Sequence, residues 1–372
     1  MRRSFHALAL ASLLLAPEPA SEAHAEGIED RIELRPLDRA TVRILTVSGA
    51  DSYLFDGDDT RVRRVVAMPN AGHGSGVLVD AAGLVLTAGH VVWGSDVIAV
   101  LLPGTDEPRP ATILYVDPVH DLAVLHVAVP DATVLAVPRT TRRFRVSERL
   151  FGTGYPVDVR ERYPAAFTGV LSRENNDGSI QVSMSLNAGN SGGPIVDDAG
   201  QLVGIVSRKA STRHGLEGMA FLEPLRFVIP ALEAARAILS AQTPTYTTND
   251  AVLCRIVADF IQTTDERPLF EQTAIPTLEA AASSASTPEA TMIVAAHAWN
   301  MHVALLERRR VRDVAQLPAN DRPLGERLSN MARTLARRAV SDAPYLLVRY
   351  PIVRGILVSE DRSYVLREGG RN

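Results

Sequence analysis

The sequence predicts a mainly β domain followed by a mostly α-helical region, and three observations lead to this fold class. The chain has 372 residues, enough for two domains, and 46% of them are hydrophobic, which is ordinary for a globular protein. Residues from about 39 to 223 are rich in Val, Gly, Leu and Thr, with turn signals every eight to twelve residues, as in a β-sandwich or β-barrel. From about Pro224 the apolar residues recur at three- and four-residue steps, which is typical of amphipathic helices.

The first 25 residues are predicted to be a signal peptide. Arg2 and Arg3 precede an apolar run over residues 7–16, and residues 23–25 (Ala-His-Ala) fit the small-x-small rule of signal peptidase. The apolar run is too short to span a bilayer. We therefore expect cleavage after Ala25, export to the periplasm or the medium, and no integral membrane segment in the mature protein.

Strand and helix patterns follow one another along the rest of the chain. Residues 77–86 (VLVDAAGLVL) and 195–206 (IVDDAGQLVGIV) each predict two strands around a tight turn. The predicted helices share the three- to four-residue apolar spacing and cover Leu225–Leu239, Ala251–Ile261, a segment that begins at Pro288, and Arg322–Val340. The tail from Tyr345 to Leu366 alternates weakly, which predicts a hairpin.

Charge and composition exclude several function classes. The formal net charge of −4 argues against a nucleic-acid-binding protein, which is expected to be basic. The single cysteine, Cys254, excludes an intrachain disulfide and a multi-cysteine metal site. His297 and His302 lie on different helix faces, and the acidic segment 56–59 lacks the glutamate of a calcium loop. We expect no metal and no cofactor.

The most specific motif is Gly-Asn-Ser-Gly-Gly-Pro at residues 189–194. A serine hydroxyl is a poor nucleophile unless a base takes its proton and donors stabilise the oxyanion that follows. Glycines around the serine let the backbone turn tightly, so that the amides of Gly189 and Ser191 can point at one spot. The motif therefore predicts Ser191 as a nucleophile and these two N–H groups as an oxyanion hole.

Two upstream motifs supply the groups that such a serine needs. His90, in Thr-Ala-Gly-His-Val-Val, follows a predicted strand and offers an imidazole suited to proton transfer near neutral pH. Asp121 directly precedes an apolar Leu-Ala-Val-Leu strand that would hold its carboxylate against the imidazole. Asp117 and Asp96 lie nearby, but only Asp121 directly precedes the apolar Leu-Ala-Val-Leu run. His120 is expected to point to the opposite face of the strand, toward solvent.

A competing motif occupies the same residues. The string around Ser191 also satisfies the Gly-x-Ser-x-Gly pattern of α/β-hydrolases, which requires a helix after the serine and the acid and histidine later in the chain. Here Pro194 is followed by a strand–turn–strand pattern, and the histidine lies upstream. The hydrolase interpretation is therefore rejected.

The order His90, Asp121, Ser191 is that of chymotrypsin, and the chain resembles the trypsin-like serine peptidases. Its cysteine-free motifs most resemble the bacterial HtrA-type branch, as do residues 74–77 (Gly-Ser-Gly-Val) and 154–156 (Gly-Tyr-Pro). The resemblance covers residues 39–237 and implies a catalytic triad in the cleft between two six-stranded β-barrels. These barrels would span about 39–137 and 146–223 and would be followed by a closing helix. The HtrA-type peptidases usually carry a PDZ domain where residues 240–372 predict helices, and no PDZ pattern is recognisable there.

The resemblance also implies a substrate pocket. Its base would be Ser185, with Leu186 beside it, and its walls would come from residues 207–209 and 218–220. The assigned pocket residues are Ser185, Leu186, Ser207, Lys209, Gly218 and Ala220. No carboxylate lies at the base, so cleavage after a small or aliphatic residue is expected rather than after Lys or Arg. Leu186 and Lys209 fit equally well as a core residue and a solvated surface charge.

Two functions from different classes follow. The first is an exported serine endopeptidase that acts on protein or peptide substrates through an acyl-enzyme formed at Ser191. The alternative is a latent or inactive peptidase-like scaffold whose helical C-terminal region binds a protein partner. The three groups His90, Asp121 and Ser191 favour the enzyme, because a scaffold has no need of them together.

Overall fold

The computed structural model describes residues 35–56, 63–156, 160–209, 218–262 and 274–358. The expected signal peptide lies outside the described residues, as does most of the acidic segment 56–59.

The first β-barrel is closed and antiparallel, with strand order β1-β2-β3-β6-β5-β4. Its strands are β1 (Thr41–Asp56), β2 (Arg63–Asp80), β3 (Leu84–Ala88), β4 (Val97–Leu101), β5 (Arg109–Asp117) and β6 (Leu122–Val127). Helix α1 (Pro36–Ala40) precedes the barrel, and the short helix α2 (Gly89–Val92) follows β3. The turn between β2 and β3 contains Gly83, whose φ of 83° is a left-handed value that favours glycine.

The second barrel is also closed and antiparallel, with strand order β10-β11-β12-β9-β8-β7. Its strands are β7 (Arg149–Gly154), β8 (Ala165–Glu174), β9 (Ile180–Met184), β10 (Pro194–Val196), β11 (Leu202–Lys209) and β12 (Met219–Pro224). The prediction of two six-stranded β-barrels followed by a helical region is therefore confirmed.

Helices follow the second barrel. They are α3 (Leu225–Ala241), α4 (Thr248–Gln262), α5 (Ala274–Ser284), α6 (Pro288–Arg308), α7 (Arg322–Asp342), α8 (Leu346–Arg349) and α9 (Ile352–Val358). Helix α6 begins at the predicted proline, and the side chain of Thr287 caps it by accepting the Ala290 N–H at 3.1 Å. Within the described part of the chain, no helix is both long and apolar enough to cross a membrane.

The hairpin predicted for the tail is wrong over the described residues, which form α8 and α9. Leu346, Tyr350 and Val353 are buried and belong to the core of the helical region. A weak alternation of apolar residues is compatible with two short helices, because residues four positions apart share a face in a strand and also in a helix.

Strands β1 and β4 are apolar on both faces because the helical region covers the outside of the first barrel. In β4, Ile98 and Val100 point into the barrel core, whereas Val97, Ala99 and Leu101 share a core with the helices. The same alternation holds in β1 for residues 42 and 44 inside and 45 and 47 outside. The first barrel and the helices are therefore one packing unit on this side.

Polar contacts fix the helical region to the first barrel. The side chain of Asn300 in α6 pairs with the backbone of Ala67 in β2, accepting its N–H at 2.7 Å and donating to its carbonyl at 2.5 Å. The Tyr350 hydroxyl donates to Asp96 Oδ2 at 3.0 Å, and the Arg349 guanidinium lies 3.4 Å from the same oxygen. Asn300 thus contacts β2 as a neighbouring strand would, using one donor and one acceptor.

His297 in α6 is a buried ionisable group that makes stability depend on pH. Its ring lies edge-on to Phe260 with centroids 5.5 Å apart, and burial lowers its pKa to about 4. A histidine in the unfolded chain has a pKa near 6.5. Between pH 6.5 and pH 4 the unfolded state therefore binds a proton at this position and the folded state does not, so the free energy of unfolding falls as the pH is lowered. When the pH is lowered from 7.5 to 5, we expect the free energy of unfolding of the wild type to fall by about 2 kcal/mol more than that of His297→Leu. Denaturant unfolding at both pH values checks this, and equal losses in the two proteins would contradict it.

Candidate active site

The structure brings His90 and Asp121 into direct contact. His90 lies on α2, and Asp121 lies in the turn that enters β6, where its φ of 49° is left-handed. His90 Nδ1 and Asp121 Oδ2 are 2.8 Å apart, and the His90 backbone N–H donates to Asp121 Oδ1 at 2.8 Å. The Asp121 carbonyl accepts the Gly89 N–H at 2.8 Å, which ties this turn to the start of α2. Asp121 therefore holds His90 by two contacts, one at the imidazole ring and one at the backbone.

Ser207 on β11 is a further hydrogen-bond partner of the Asp121 carboxylate. Its hydroxyl donates to Asp121 Oδ2 at 2.7 Å, and its side chain is fully buried. Burial alone raises the pKa of the Asp121 carboxyl, but hydrogen bonds from His90 and Ser207 outweigh it, so that the pKa lies below its usual value. Ser207 was expected in the pocket wall. No local sequence pattern indicates its contact with Asp121, because the two residues are 86 positions apart along the chain.

Ser191 lies in the loop between β9 and β10. Its hydroxyl donates to the Ser207 carbonyl at 3.5 Å, a long hydrogen bond. Among the described residues this is the one hydrogen bond of that hydroxyl, so it makes none with the His90 ring. The ring itself is accessible, with 49% of the His90 side chain exposed to solvent. Transfer of a proton from Ser191 to His90 therefore requires a hydrogen bond between them that is not formed among the described residues.

The backbone before Ser191 forms a type II turn. The Asn190 N–H donates to the Asn187 carbonyl at 3.2 Å, and Gly189, at the third position, has a φ of 97°. A Cβ atom there would lie 2.1 Å from the Tyr155 carbonyl, so both conformation and space require glycine. Across the part of the chain that the structure describes, no group accepts a hydrogen bond from the Gly189 or Ser191 N–H. These are the two N–H groups that the sequence predicts as the oxyanion hole.

The other aspartates near the site have different partners. Asp117 Oδ2 pairs with His120 Nδ1 at 2.7 Å, and the His120 ring stacks on Phe227 of α3 with centroids 3.8 Å apart. Asp96 contacts Tyr350 in the helical region. The expectation that His120 faces solvent is wrong, because residues 118–121 form a turn to which the alternation of a regular strand does not apply.

The expected pocket residues come from β11, β12 and the segment that follows β9. Ser185 is exposed. Leu186 is buried in the core of the second barrel, which agrees with its interpretation as a core residue. Ala220 is buried in the same core and pairs with Lys209 across β11 and β12. The Gly218 carbonyl accepts the Met184 N–H at 2.8 Å. The Lys209 side chain lies outside the described residues, and the pocket assignment stays a prediction.

The chain has the two closed six-stranded barrels that the sequence predicts, and residues 74–205 match the Trypsin-like peptidase domain family. The curated relatives to which the chain is similar are DegP-like and HtrA serine proteases. The chain is 34% identical over 156 residues to the probable periplasmic serine endoprotease DegP-like of Hahella chejuensis, which covers 41% of this chain and 33% of that protein.

The chain also matches a second curated relative and a solved structure. The serine protease Do-like HtrA of Lactobacillus helveticus is 31% identical over 202 residues, which are 49% of this chain and 48% of that protein. The crystal structure of the serine endoprotease from Yersinia pestis matches 55% of this chain and 68% of that chain, with 21% identity and a TM-score of 0.42. The chain therefore spans between a third and a half of the length of these two curated relatives.

Proposed function

We propose that this chain is a serine endopeptidase in which Ser191 is the nucleophile, His90 the general base and Asp121 the residue that orients the base. The observation that carries the proposal is the pair of hydrogen bonds by which Asp121 holds His90, one at ring Nδ1 and one at the backbone N–H. With Nδ1–H directed at the carboxylate, Nε2 is the ring nitrogen that can accept a proton.

In the proposed reaction, Ser191 Oγ attacks the carbonyl carbon of a peptide bond while its proton passes to His90 Nε2. The negative charge that develops on the carbonyl oxygen is stabilised by the N–H groups of Gly189 and Ser191. His90 then returns the proton to the leaving amine, and an acyl-enzyme remains at Ser191. Water, activated by the same imidazole, hydrolyses this ester and restores the hydroxyl. Asp121 stays ionised throughout, which agrees with its lowered pKa.

The proposed substrates are proteins or peptides that are cleaved after a small or aliphatic residue. No carboxylate occupies the expected base at Ser185, so there is no partner for a Lys or Arg side chain. The proposed location is the periplasm or the medium, on the basis of the expected signal peptide at residues 1–25. The names of two relatives, from Hahella chejuensis and from Salmonella typhimurium, describe those proteins as periplasmic.

One observation favours a second candidate, a latent peptidase or a scaffold whose helical region binds a partner. The Ser191 hydroxyl is bonded to the Ser207 carbonyl rather than to His90. A resting enzyme of this kind would need substrate to turn the hydroxyl toward the imidazole. Catalytic hydrogen bonds are often long or misaligned without substrate, so this geometry is compatible with an active enzyme as well.

A fluorophosphonate probe separates the candidates, because it reacts with a serine only when a base activates the hydroxyl. We expect the wild-type protein to be labelled and to hydrolyse casein, and Ser191→Ala to do neither. His90→Ala is the second control, since it keeps the hydroxyl but removes the base. A wild-type protein that resists the probe and leaves casein intact would favour the scaffold. Labelling that persists in Ser191→Ala would refute the assignment of the nucleophile.

A further inference from the structure

One buried serine in β2, Ser75, contacts both residues of the expected oxyanion hole. Its hydroxyl donates to the Gly189 carbonyl at 2.7 Å, and its backbone N–H donates to the Ser191 carbonyl at 2.8 Å. Ser75 is completely buried, so water does not compete for these bonds. The carbonyls on either side of the Asn190–Ser191 segment are therefore fixed by a single residue of the other barrel.

Two further hydrogen bonds connect Ser75 to Tyr155 and to the strand that precedes His90. Its hydroxyl accepts the Tyr155 N–H at 2.9 Å, and its carbonyl accepts the Thr87 hydroxyl at 2.7 Å. Thr87 lies near the end of β3, which leads directly into the helix that carries His90. Ser75 thus joins the loop of Ser191, in the second barrel, to the strand that positions His90, in the first.

Close approach of the two backbones explains why glycines surround this serine. A Cβ atom on Gly74 would lie 3.1 Å from the Ser191 carbonyl, and one on Gly192, whose φ is 84°, would lie 2.1 Å from the Ser75 carbonyl. Larger residues at these positions would separate β2 from the loop and break the hydrogen bonds of Ser75. The Gly-Ser-Gly sequence at 74–76 is therefore suited to place one hydroxyl against the loop.

We propose that Ser75 is a positioning residue for the oxyanion hole, a role that rests on the proposed peptidase function and extends it. Glycine samples a wide range of backbone angles, so the turn at Gly189 needs an external restraint to keep its N–H aligned with that of Ser191. Ser75 supplies that restraint through the two carbonyls. It touches neither substrate nor the reacting atoms, and it acts on the transition state only through the geometry of the two amides.

The test compares Ser75→Ala with a matched variant, Thr41→Val. The Thr41 hydroxyl is also fully buried and also joins the two barrels, by its 2.6 Å hydrogen bond with Thr153 Oγ1, but among the described residues it forms no hydrogen bond with the Ser191 loop. The readouts are kcat and KM on a peptide amide and inhibition by a peptide boronic acid, whose tetrahedral adduct places an oxygen in the oxyanion hole.

We expect Ser75→Ala to lower kcat by about 10- to 100-fold, less than the 100- to 1000-fold loss that removal of an oxyanion donor causes. The boronate inhibition constant should rise by a similar factor, while KM and the pH profile of kcat/KM stay unchanged, because the contact between His90 and Asp121 is intact. Thr41→Val should keep the wild-type kcat whatever it does to thermal stability. Ser75→Cys, which keeps a weak donor, should fall between the wild type and Ser75→Ala, and it replaces the alanine variant if that variant does not fold.

An unchanged kcat in Ser75→Ala, or an equal loss in Thr41→Val, would overturn the proposal, since the effect would then be absent or merely structural. A wild-type protein that neither hydrolyses peptides nor binds the boronate would remove the proposed function and this role with it. That result is distinguishable from an active wild type whose Ser75 variants behave normally.

Discussion

Replacing Asp121 with asparagine is expected to lower kcat by about 10⁴-fold, the loss that this substitution causes in a Ser-His-Asp triad. Asp121 Oδ1 accepts the His90 backbone N–H, while Oδ2 accepts from the Ser207 hydroxyl and lies against His90 Nδ1. If the amide oxygen of asparagine keeps the place of Oδ1, its NH₂ group faces Nδ1. The ring would then carry its proton on Nε2 and could not accept one from Ser191.

The matched control is Asp117→Asn, which removes a carboxylate from a second aspartate–histidine pair. Asp117 contacts His120 Nδ1 at 2.7 Å, as close as the Asp121 contact, but the pair stacks on Phe227 rather than facing Ser191. Steady-state hydrolysis of one peptide by both variants is the measurement. Near wild-type turnover in Asp121→Asn, or an equal loss in Asp117→Asn, would show that the wrong carboxylate has been assigned.

The sequence was most informative where a residue type and its immediate neighbours determine the chemistry. The motifs around His90, Asp121 and Ser191 predicted three groups on loops at strand ends, and the structure brings His90 and Asp121 into hydrogen-bond contact. The turn at Gly189 also followed from a local rule, because a left-handed φ favours glycine. The strand content of both barrels followed from the spacing of turn signals.

Long-range contacts could not be predicted in the same way. Ser207 and Ser75 each bond to a residue more than eighty positions away, and a serine in a strand has no local pattern that reveals such a partner. His120 was misinterpreted because a turn replaced the regular strand that its predicted direction assumed. One available signal was missed. The unbroken apolar run of β4, Val97–Leu101, is typical of a strand covered on both faces.

That covered strand leads to the second large expected effect. A protein truncated after Ala241, at the end of α3, is expected to aggregate rather than fold. Its first barrel would expose an outer face on which every residue is now at most 7% accessible, comprising Leu45, Val47, Val97, Ala99 and Leu101. Burying a Val or Leu side chain contributes about 1.5–3 kcal/mol, so the four larger residues account for about 6–12 kcal/mol. A whole domain is stable by only about 5–15 kcal/mol.

Expression of residues 26–241, followed by size-exclusion chromatography and denaturant unfolding, checks this expectation. The matched variant carries Leu45→Thr, Val97→Thr and Leu101→Lys in the same fragment, and we expect these polar replacements to improve its solubility. A soluble, monomeric and cooperatively unfolding fragment without the replacements would contradict the prediction. The helical region would then be an appendage of an independent peptidase domain. If the prediction holds, the helical region is part of the first barrel's own core, because its helices cover the outer apolar face of β1 and β4.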